Sequence, residues 1–506
     1  MFFALVETQG NQSYVFSTNR EKAIRGASEL LFRSTTDWAI DAVVGTRADR
    51  DFDERATWLR NQGPIGDGTT VVVATSGRAV LVSDDPRHLE SIIGDVTRRA
   101  LREAPGLMVA GSIVPLDLDA AKGFDSAFHR ARIRLSSNLT TIGPRGSRSV
   151  NLPMLRPCAE TGLAASEVDR AKNRSVSYQF HAQINAMSSS RSRLESLVGD
   201  NFASSVDEVA LEDNWRAVIH ADGNGIGRLF GALSELFDSS SGQRAANLHH
   251  IEGYREFSLA LERATETALV EATAALPDGK VMPILLGGDD VIAQVSAHRA
   301  LDFARSYLTA FERHSIDPIG VLRKYSRPGS ELPERLTSCA GVSIVKSHFP
   351  FSSASDLASE LLESAKSAKD DGRSSALDVH VTYDSTASDL GSIRQSRISA
   401  DGLKLWGGPY RVDATSSPTA RSLADLDTAL ASLGAAGARS QIQQMKEAAR
   451  RDRASLAAAT VNALHVAGND SGRVRAIEML ATETDGHLLL LDALELADIG
   501  RKVGKR

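Results

Sequence analysis

A turn of two glycines and two aspartates, Gly287-Gly288-Asp289-Asp290, constrains this sequence more than any other feature. Apolar runs flank it at 281–286 and 291–295, which predicts two strands joined by a tight hairpin. Adjacent carboxylates at a hairpin tip repel each other unless a cation offsets them. Hard cations such as Mg²⁺ take oxygen ligands and keep phosphate oxygens in their shell. Asp289 and Asp290 are therefore candidate metal ligands, and Gly287 and Gly288 would let a triphosphate approach the backbone. A plain hairpin turn remains an alternative, because glycine and aspartate are common turn residues.

A second acidic and glycine-rich stretch follows the apolar run at 215–220. It reads Asp222-Gly223-Asn224-Gly225 and leads into a predicted helix. An acid at a strand end, followed by such a turn and a helix start, favours phosphate binding through backbone N–H groups. The Gly-Lys-Ser/Thr ending of a P-loop and the spacing of a dinucleotide-binding loop are both missing, so those sites are disfavoured. A glycine-rich loop without function is the alternative.

Together the two stretches predict a site for phosphoryl transfer. Such chemistry needs carboxylates that converge on metal ions about 4 Å apart. Asp222 and Asp289 are the natural pair, and Asp290 either assists them or serves structure. Lys346, at the end of a strand predicted at 339–345, is a candidate phosphate contact, with a solvated lysine as the alternative. His348 is interpreted as structural.

Composition sets wider limits. A chain of 506 residues predicts about three domains. Its two cysteines, Cys158 and Cys339, favour a reducing compartment and give no support for zinc. The net charge of -6 argues against a basic face that coats nucleic acid. The apolar segment at the start of the sequence is short and is followed at once by Glu7, so we expect a first strand and no membrane span. We also expect a cytoplasmic protein.

The first part of the chain predicts a ferredoxin-like α+β unit. Residues 1–8 are interpreted as a strand that forms a hairpin with a second strand at Ser13–Thr18. Asn19 is expected to cap a helix from about Arg20 to Phe32. Further predicted elements are a hairpin at 69–74 and 79–83, helices at 86–103 and 120–135, and a strand at 107–114.

The rest of the chain divides in three. Residues 141–214, with Gly143-Pro144-Arg145-Gly146 and Ser188-Ser189-Ser190, predict an irregular connector with one or two short helices. A second α+β unit follows, with strands at 215–220, 281–286, 291–295 and 339–345. Its predicted helices lie at 248–275, 299–311 and 354–369. The Ala, Leu, Glu, Lys and Arg content from about 416 predicts a C-terminal helical bundle.

These motifs resemble the large subunit of type III CRISPR effectors, the Cas-ten family. In that family a nucleotide cyclase-like palm carries the Gly-Gly-Asp-Asp turn and an upstream acid, here Asp222. It also carries a Lys-x-His-aromatic-Pro segment, here Lys346-Ser347-His348-Phe349-Pro350. Segments around Phe16–Ser28 and Gly408-Pro409-Tyr410 extend the likeness over roughly residues 1–415. The resemblance implies a non-catalytic palm at 1–140, a connector with a zinc-ribbon remnant at 141–214, a palm with the site at 215–415, and helices at 416–506.

The implied activity is synthesis of a cyclic oligoadenylate messenger from ATP in prokaryotic antiviral defence, with Mg²⁺ or Mn²⁺. Asp222 and Asp289 would bind the metals, and Asp290 would assist. Gly223, Asn224 and Gly225 would face phosphates, near Lys346. Other CRISPR effector subunits or a second copy of the chain would be the partners.

Four departures from the family pattern carry expectations of their own. The chain begins with the first palm and has no His-Asp pair there, so we expect no DNase. The first palm has Ser76-Gly77-Arg78-Ala79 at the corresponding hairpin, without acids. Cys158 lacks a second cysteine nearby, so we expect no zinc. Asn224 stands where many relatives have a second acid, which leaves the set of metal ligands open.

Two further functions stay open. A related enzyme could make a cyclic mono- or dinucleotide with the same palm chemistry, as GGDEF-type cyclases do. A binding or scaffold protein with a degenerate site is the other alternative. Neither Asp222 nor the Gly-Gly-Asp-Asp turn is needed for folding, which favours the enzymes.

Overall fold

The computed structural model describes nine stretches of the chain, and the Gly143–Gly146 loop lies outside them. They are residues 1–142, 154–169, 173–210, 214–237, 242–276, 279–383, 389–413, 421–435 and 439–503. None of the described helices is long and apolar enough to cross a lipid bilayer. The described part is a mixed α and β protein, with two larger sheets and a helical C-terminal region.

The first sheet has four antiparallel strands in the order β2-β3-β1-β4. This is the strand order of a ferredoxin-like unit, as the sequence predicted. The strands are β1 Phe2–Gln9, β2 Thr69–Thr75, β3 Arg78–Ser83 and β4 Met108–Pro115. The helices of this region are α1 Asn11–Val15, α2 Glu21–Thr35, α3 Asp37–Val44, α4 Phe52–Arg60, α5 Pro86–Glu103 and α6 Gly123–Ile142.

The hairpin predicted at Ser13–Thr18 is wrong. Residues 11–15 form α1, with Tyr14 and Val15 buried. Because β1 is already paired on one side with β3 and on the other with β4, it has no free edge for another strand. The predicted cap is also wrong, since α2 begins after Arg20 without a side-chain cap. Asn19 instead accepts hydrogen bonds from the backbone N–H and hydroxyl of Ser352.

The connector is more regular than predicted. It contains β5 Glu167–Asp169, β6 Arg174–Val176, α7 Tyr178–Val198 and α8 Val206–Val209. Helix α7 has 21 residues and includes the serine cluster, so the expectation of short helices is wrong. It packs along α2, and Gly26 makes this close approach possible. A Cβ at Gly26 would lie 1.7 Å from the carbonyl oxygen of Gln183.

The second sheet has seven strands in the order β13-β12-β11-β10-β7-β9-β8. Its strands are β7 Trp215–Gly223, β8 Val281–Gly287, β9 Asp290–Ser296, β10 Ser338–Lys346, β11 Ala376–Val381, β12 Tyr410–Arg411 and β13 Arg421–Ser422. Its helices are α9 Ile226–Leu236, α10 Gln243–Ala274, α11 Ala300–His314, α12 Ile316–Tyr325, α13 Phe351–Ala365 and α14 Leu390–Gln395. The four strands from β10 to β8 repeat the order of the first sheet. The parallel strand β11 was missed, because buried Asp378 and His380 interrupt its apolar run.

The C-terminal region is helical, as predicted. Its helices are α15 Leu423–Ala435, α16 Arg439–Ala449, α17 Arg453–Ala467, α18 Ser471–Ala481 and α19 Leu490–Val503. The sequence did not predict the short hairpin of β14 Glu483–Thr484 and β15 His487–Leu488. Buried Asp492 of α19 accepts hydrogen bonds from the N–H groups of Gly407 and Gly408 and from the Tyr410 hydroxyl. These contacts attach the helical region to the second sheet.

The first unit packs on α10 through a buried ionic cluster. Arg55 of α4 forms two hydrogen bonds, of 3.0 and 2.7 Å, with the carboxylate of Glu262. Glu266 lies one turn further along α10 and is also buried. Burial, followed by the nearby charge of Glu262, raises the pKa of Glu266 to about 7. The ionised form of Glu266 therefore opposes folding.

We expect the free energy of unfolding to fall as the pH rises from about 5 to 7. In that window folded Glu266 holds a proton that it loses in the unfolded chain, so stability declines with pH and levels off above the folded pKa. Glu266→Gln should remove up to about 3 kcal/mol of this decline. Urea denaturation of both proteins at pH 5, 6, 7 and 8 measures it. Glu256→Gln, on the same helix, is the control, and an unchanged slope in Glu266→Gln would refute the expectation.

Candidate functional site

The site forms where a central strand meets the acidic hairpin. Strand β7 lies between β10 and β9, and Ala221 pairs with Val291 at the end of β9 next to the turn. Strands β8 and β9 are joined through paired Gly287 and Asp290, as the sequence predicted. Gly288 has a φ of 63°, a left-handed conformation that glycine adopts without strain. This turn places Asp289 at the hairpin tip, beside the end of β7.

Asp222 and Asp289 meet, although 66 intervening residues separate them in the sequence. The Asp289 carboxylate lies against Gly223, the residue that follows Asp222, and its charge interacts with that of Asp222. Gly223 makes the approach possible, since a Cβ there would lie 2.9 Å from Asp289 Oδ2. Burial, followed by the charges of Asp222 and Asp290, raises the pKa of Asp289 to about 7. A bound cation would relieve this repulsion.

A lysine that the sequence reasoning missed also reaches this pair. Lys366 follows α13, and its Nζ lies 2.9 Å from Asp222 Oδ2 and 2.8 Å from Glu363 Oε1. Burial lowers the pKa of Lys366, but its hydrogen bonds to Glu363 and Asp222 outweigh burial and raise it. Lys366 is therefore a fixed positive charge beside the acids. It lies within the helix predicted at 354–369, but no sequence pattern indicated that this helix would pack against β7.

Asp290 makes a different contact from Asp289. Its Oδ1 lies 2.8 Å from Nε2 of His220, which belongs to β7. The other ring nitrogen of His220 lies 2.9 Å from the hydroxyl of Ser359 on α13. Burial lowers the pKa of His220, but the hydrogen bond to Asp290 and its charge outweigh burial and raise it. The structure thus brings all three predicted acids into one region and pairs Asp290 with a histidine.

The residues after Asp222 divide into two groups. Gly223 ends β7, and Gly225 precedes α9 with a φ of 71° and no side-chain cap. The free N–H groups at the start of α9 therefore lie close in sequence to Asp222. Asn224 is buried, and its Nδ2 donates to Thr337 Oγ1 at 2.9 Å and to the Ser374 carbonyl at 3.4 Å. Its amide is thus bonded to the protein interior, which corrects the expectation that Asn224 faces phosphates.

The expected phosphate contact from Lys346 is also corrected. Because β10 runs antiparallel to β7, Cys339 pairs with Asp222 whereas Lys346 pairs with Trp215. Seven residues of strand place Lys346 roughly 23 Å further along the sheet. Its Nζ lies 6.0 Å from the centre of the Trp215 ring. The segment after it, including His348, lines a cavity of about 550 Å³ near the start of α2.

The hairpin tip of the first unit packs against the acidic turn. A Cβ at Gly287 would lie 2.5 Å from the Cβ of Ser76 and 2.8 Å from its hydroxyl. Ser76 belongs to the β2–β3 turn, which the sequence analysis expected to carry no catalytic acid. The two related hairpins therefore meet tip to tip. Gly287 provides the space for this contact rather than an unusual backbone conformation.

We expect Gly287→Ala to destabilise the protein by about 1–3 kcal/mol, because the new methyl group would overlap Ser76. Adding Ser76→Gly removes the overlapping atoms and should restore most of the loss. Denaturant unfolding of the two single variants and the double variant measures this coupling. Gly320→Ala, where a Cβ would meet no atom within 4 Å, is the control. The contact is refuted if Ser76→Gly gives no rescue.

A tyrosine below the acids is a second residue that the sequence reasoning missed. Tyr307 of α11 is buried, and its hydroxyl has no hydrogen-bond partner among the described residues. Burial first, and then the charges of Asp289, Asp290 and Asp222, raise its pKa well above the usual value. An apolar helical pattern surrounds Tyr307, so the sequence alone predicts only a core residue.

The acids suit a cation that a substrate helps to bind. Among the described residues, no three His, Cys, Asp or Glu side chains form a group that could hold a metal by themselves. Mg²⁺, however, is commonly bound by one or two carboxylates together with substrate phosphates and water. Converging Asp222 and Asp289 fit that pattern. Cys158 and Cys339 are both free and buried, and the expectation of no zinc stays a prediction.

Comparison with known families bears on the part of the chain that holds this site. Residues 216–375 match the family described as Cas10/Cmr2, second palm domain. The matched palm segment includes Asp222, the Gly-Gly-Asp-Asp turn and Lys366. Comparison with curated proteins gives no match.

Comparison with solved structures finds Csm1-Csm4 cassettes. One, in complex with pppApApA, covers 99% of this chain and 69% of its own, with 11% identity and a TM-score of 0.53. Another, in complex with pppApA, covers 72% of this chain at 14% identity and a TM-score of 0.43. This chain spans 53% of the length of that structure. The family match and the structure in complex with pppApApA confirm the palm architecture expected from the sequence.

Proposed function

We propose that this protein is a metal-dependent nucleotidyltransferase of the type III CRISPR large-subunit kind. It would join ATP molecules into a cyclic oligonucleotide messenger in prokaryotic antiviral defence. The observation that carries the proposal is the meeting of Asp222 and Asp289 beside Lys366, within the segment that matches the Cas10/Cmr2 second palm domain. A fold alone requires no such concentration of charge.

Asp222 and Asp289 would hold Mg²⁺ or Mn²⁺. When bound, the metal would neutralise the triphosphate and lower the pKa of the attacking hydroxyl. Each carboxylate would contribute oxygen ligands, and phosphate oxygens and water would complete the coordination. Asp290 would act through its contact with His220.

The neighbouring groups suit a triphosphate. The free N–H groups at the start of α9 and the ammonium of Lys366 would receive phosphate oxygens. Gly225 and Gly288 would leave the backbone accessible to the nucleotide, whereas Gly223 and Gly287 provide space for Asp289 and Ser76. In the reaction a 3′-hydroxyl of one nucleotide attacks the α-phosphorus of the next. A new bond forms between the hydroxyl oxygen and the α-phosphorus, and the hydroxyl proton passes to water. The bond from the α-phosphorus to the oxygen that bridges to the β-phosphate breaks, and pyrophosphate leaves beside Lys366.

The structural neighbours support a proposal for the partners. Those proteins are Csm1-Csm4 cassettes, including complexes with pppApApA and with one ATP. We therefore propose ATP as the substrate and a Csm4-like effector subunit as a partner. A second copy of this chain is the other candidate partner.

A nucleotide-binding subunit without turnover is the second candidate function. It is favoured by Asn224, which stands where many relatives have an acid and which contacts Thr337 instead. It is also favoured by Lys366 and His220, which already pair with Asp222 and Asp290. An enzyme that makes a cyclic mono- or dinucleotide shares the proposed site and differs only in its product.

Incubation of the purified chain with each nucleoside triphosphate and Mg²⁺ or Mn²⁺ tests the proposal. The products are resolved by mass, with and without a Csm4-like partner. Cyclic oligoadenylate supports the proposal, and a cyclic mono- or dinucleotide supports the related enzyme. ATP binding that Asp222→Asn weakens, without any product, supports the binding subunit. No binding in any condition refutes all three.

A further inference from the structure

One buried histidine connects the two halves of the candidate site. His220 lies in β7, two residues before Asp222, and its side chain is only 8% exposed. One ring nitrogen contacts Asp290 Oδ1 at 2.8 Å, and the other contacts the Ser359 hydroxyl at 2.9 Å. Both polar atoms of the ring are therefore used within the protein. A buried ring with two such contacts has a fixed orientation.

Each contact of His220 reaches an element that carries part of the site. Asp290 is the first residue of β9 and follows Asp289 directly, so it determines where the hairpin tip ends. Ser359 lies on α13, the helix that ends just before Lys366. The Ser359 hydroxyl is also 2.9 Å from the Ser355 carbonyl, which holds it against its own helix. Thus β7, β9 and α13 are joined by one side chain.

The geometry of Asp290 differs from that of a second metal ligand. Its carboxylate contacts His220, whereas the carboxylate of Asp289 lies beside Asp222. His220 of β7 pairs with Ile292 of the neighbouring strand β9. Ile292 and Asp290 are two residues apart on β9, so their side chains lie on the same face of the sheet. The register of β7 and β9 therefore places the ring beside the carboxylate of Asp290.

We propose that His220 is a positioning residue, which holds Asp290 and Ser359 so that Asp289 and Lys366 meet Asp222. This inference rests on the proposed function of the same site. It assigns Asp290 to the contact with His220 rather than to the metal. Outer partners that orient ligands commonly change metal affinity by 10–100-fold when they are removed.

The contact between His220 and Asp290 is called the clamp below. Binding of Mn²⁺ and of ATP, measured by calorimetry on the full chain, tests it. We expect His220→Ala and Asp290→Ala each to weaken Mn²⁺ binding about 10-fold. The double variant should bind Mn²⁺ no more weakly than either single variant, because both substitutions remove the same interaction. Asp290→Asn should stay within about 3-fold of the wild type, since its amide oxygen still accepts from the ring. Asp289→Asn should weaken Mn²⁺ binding about 100-fold or more, because it changes a proposed metal ligand.

His250→Ala is the matched control, because His250 is another buried histidine and packs edge-to-face against Phe124 and Phe237 of the core. It should lower the denaturation midpoint without changing Mn²⁺ affinity. If Asp290→Asn binds Mn²⁺ as weakly as Asp289→Asn does, or if His220→Ala binds Mn²⁺ as tightly as the wild type, the clamp is overturned while the proposed function stands.

If the wild-type chain binds neither Mn²⁺ nor ATP, the proposed function fails, and the clamp is then judged from unfolding alone. Equal denaturation midpoints for His220→Ala, Asp290→Ala and the double variant support the clamp. A double variant whose loss is the sum of the two single losses overturns it.

Discussion

Replacing Asp289 with asparagine is expected to reduce product formation by on the order of 1000-fold. Asp289 is the carboxylate that meets Asp222 at the end of β7, so its loss leaves Asp222 without a partner for the cation. Asparagine keeps the size of the side chain and one oxygen, which limits the change to charge. Rates of pyrophosphate release from ATP with Mn²⁺ measure the effect.

The same substitution should leave the fold intact or stabilise it. Without a cation, ionised Asp289 lies beside Asp222 and near Asp290, and this repulsion opposes folding. Asparagine removes the repulsion, so the midpoint of denaturation should stay equal or rise. Active-site groups commonly show this opposition between stability and function. A variant that loses activity and also unfolds more easily would contradict the expected role.

Asp302→Asn is the matched control for charge. Asp302 lies on α11, its side chain is 58% exposed, and its nearest cation, on Arg299, is 3.9 Å away. Loss of one exposed, weakly paired charge should change neither rate nor stability by a measurable amount. Equal loss of activity in both variants would mean that net charge, rather than the position of Asp289, explains the result.

The acidic hairpin could be predicted because its signals are local. Two short apolar runs flank glycines and aspartates, and this pattern specifies strands and turn without any distant contact. The meeting of Asp222 and Asp289 followed from two strand ends that belong to one sheet. The register that brings the end of β7 next to the turn was not visible in the sequence, but the family resemblance implied that both acids bind the metals.

The errors arose where distant parts of the chain decide the outcome. Ser13–Thr18 has strand-like residues, yet both edges of β1 are occupied by strands that come much later. Lys346 follows a strand in the same way as Asp222 does. The antiparallel direction of β10, however, puts these residues at opposite ends of the sheet. No local pattern reports strand direction.

Lys366 and His220 were missed for a related reason. A lysine near a helix end and a histidine in a buried strand are common structural residues, and neither forms a motif. Their importance comes from packing, since α13 crosses the same face of β7 that carries Asp222. Sequence reasoning identified the acids by type, whereas the groups that orient and neutralise them became visible only with the tertiary structure.

Outside the site, the largest effect on stability is expected at the ion pair that joins the first unit to α10. Glu262→Met should lower the free energy of unfolding by about 3–5 kcal/mol, because it leaves the charge of Arg55 buried without its main partner. Both side chains are nearly inaccessible, at 1% for Arg55 and 4% for Glu262. An arginine cannot release its proton to escape this cost. Denaturant unfolding at pH 7 measures the loss.

The double variant with Arg55→Met and Glu262→Met should be more stable than Glu262→Met alone, since it removes the isolated charge and places two apolar side chains in contact. Arg60→Met provides the comparison on the same interface. Its pair with Glu256 is 48% and 25% exposed, so its loss should cost at most about 1 kcal/mol. If the double variant is the least stable of the set, Arg55 stabilises the interface by other contacts. These would be its hydrogen bond to the Ala74 carbonyl and its packing on Phe32 and Phe52, rather than its charge pair.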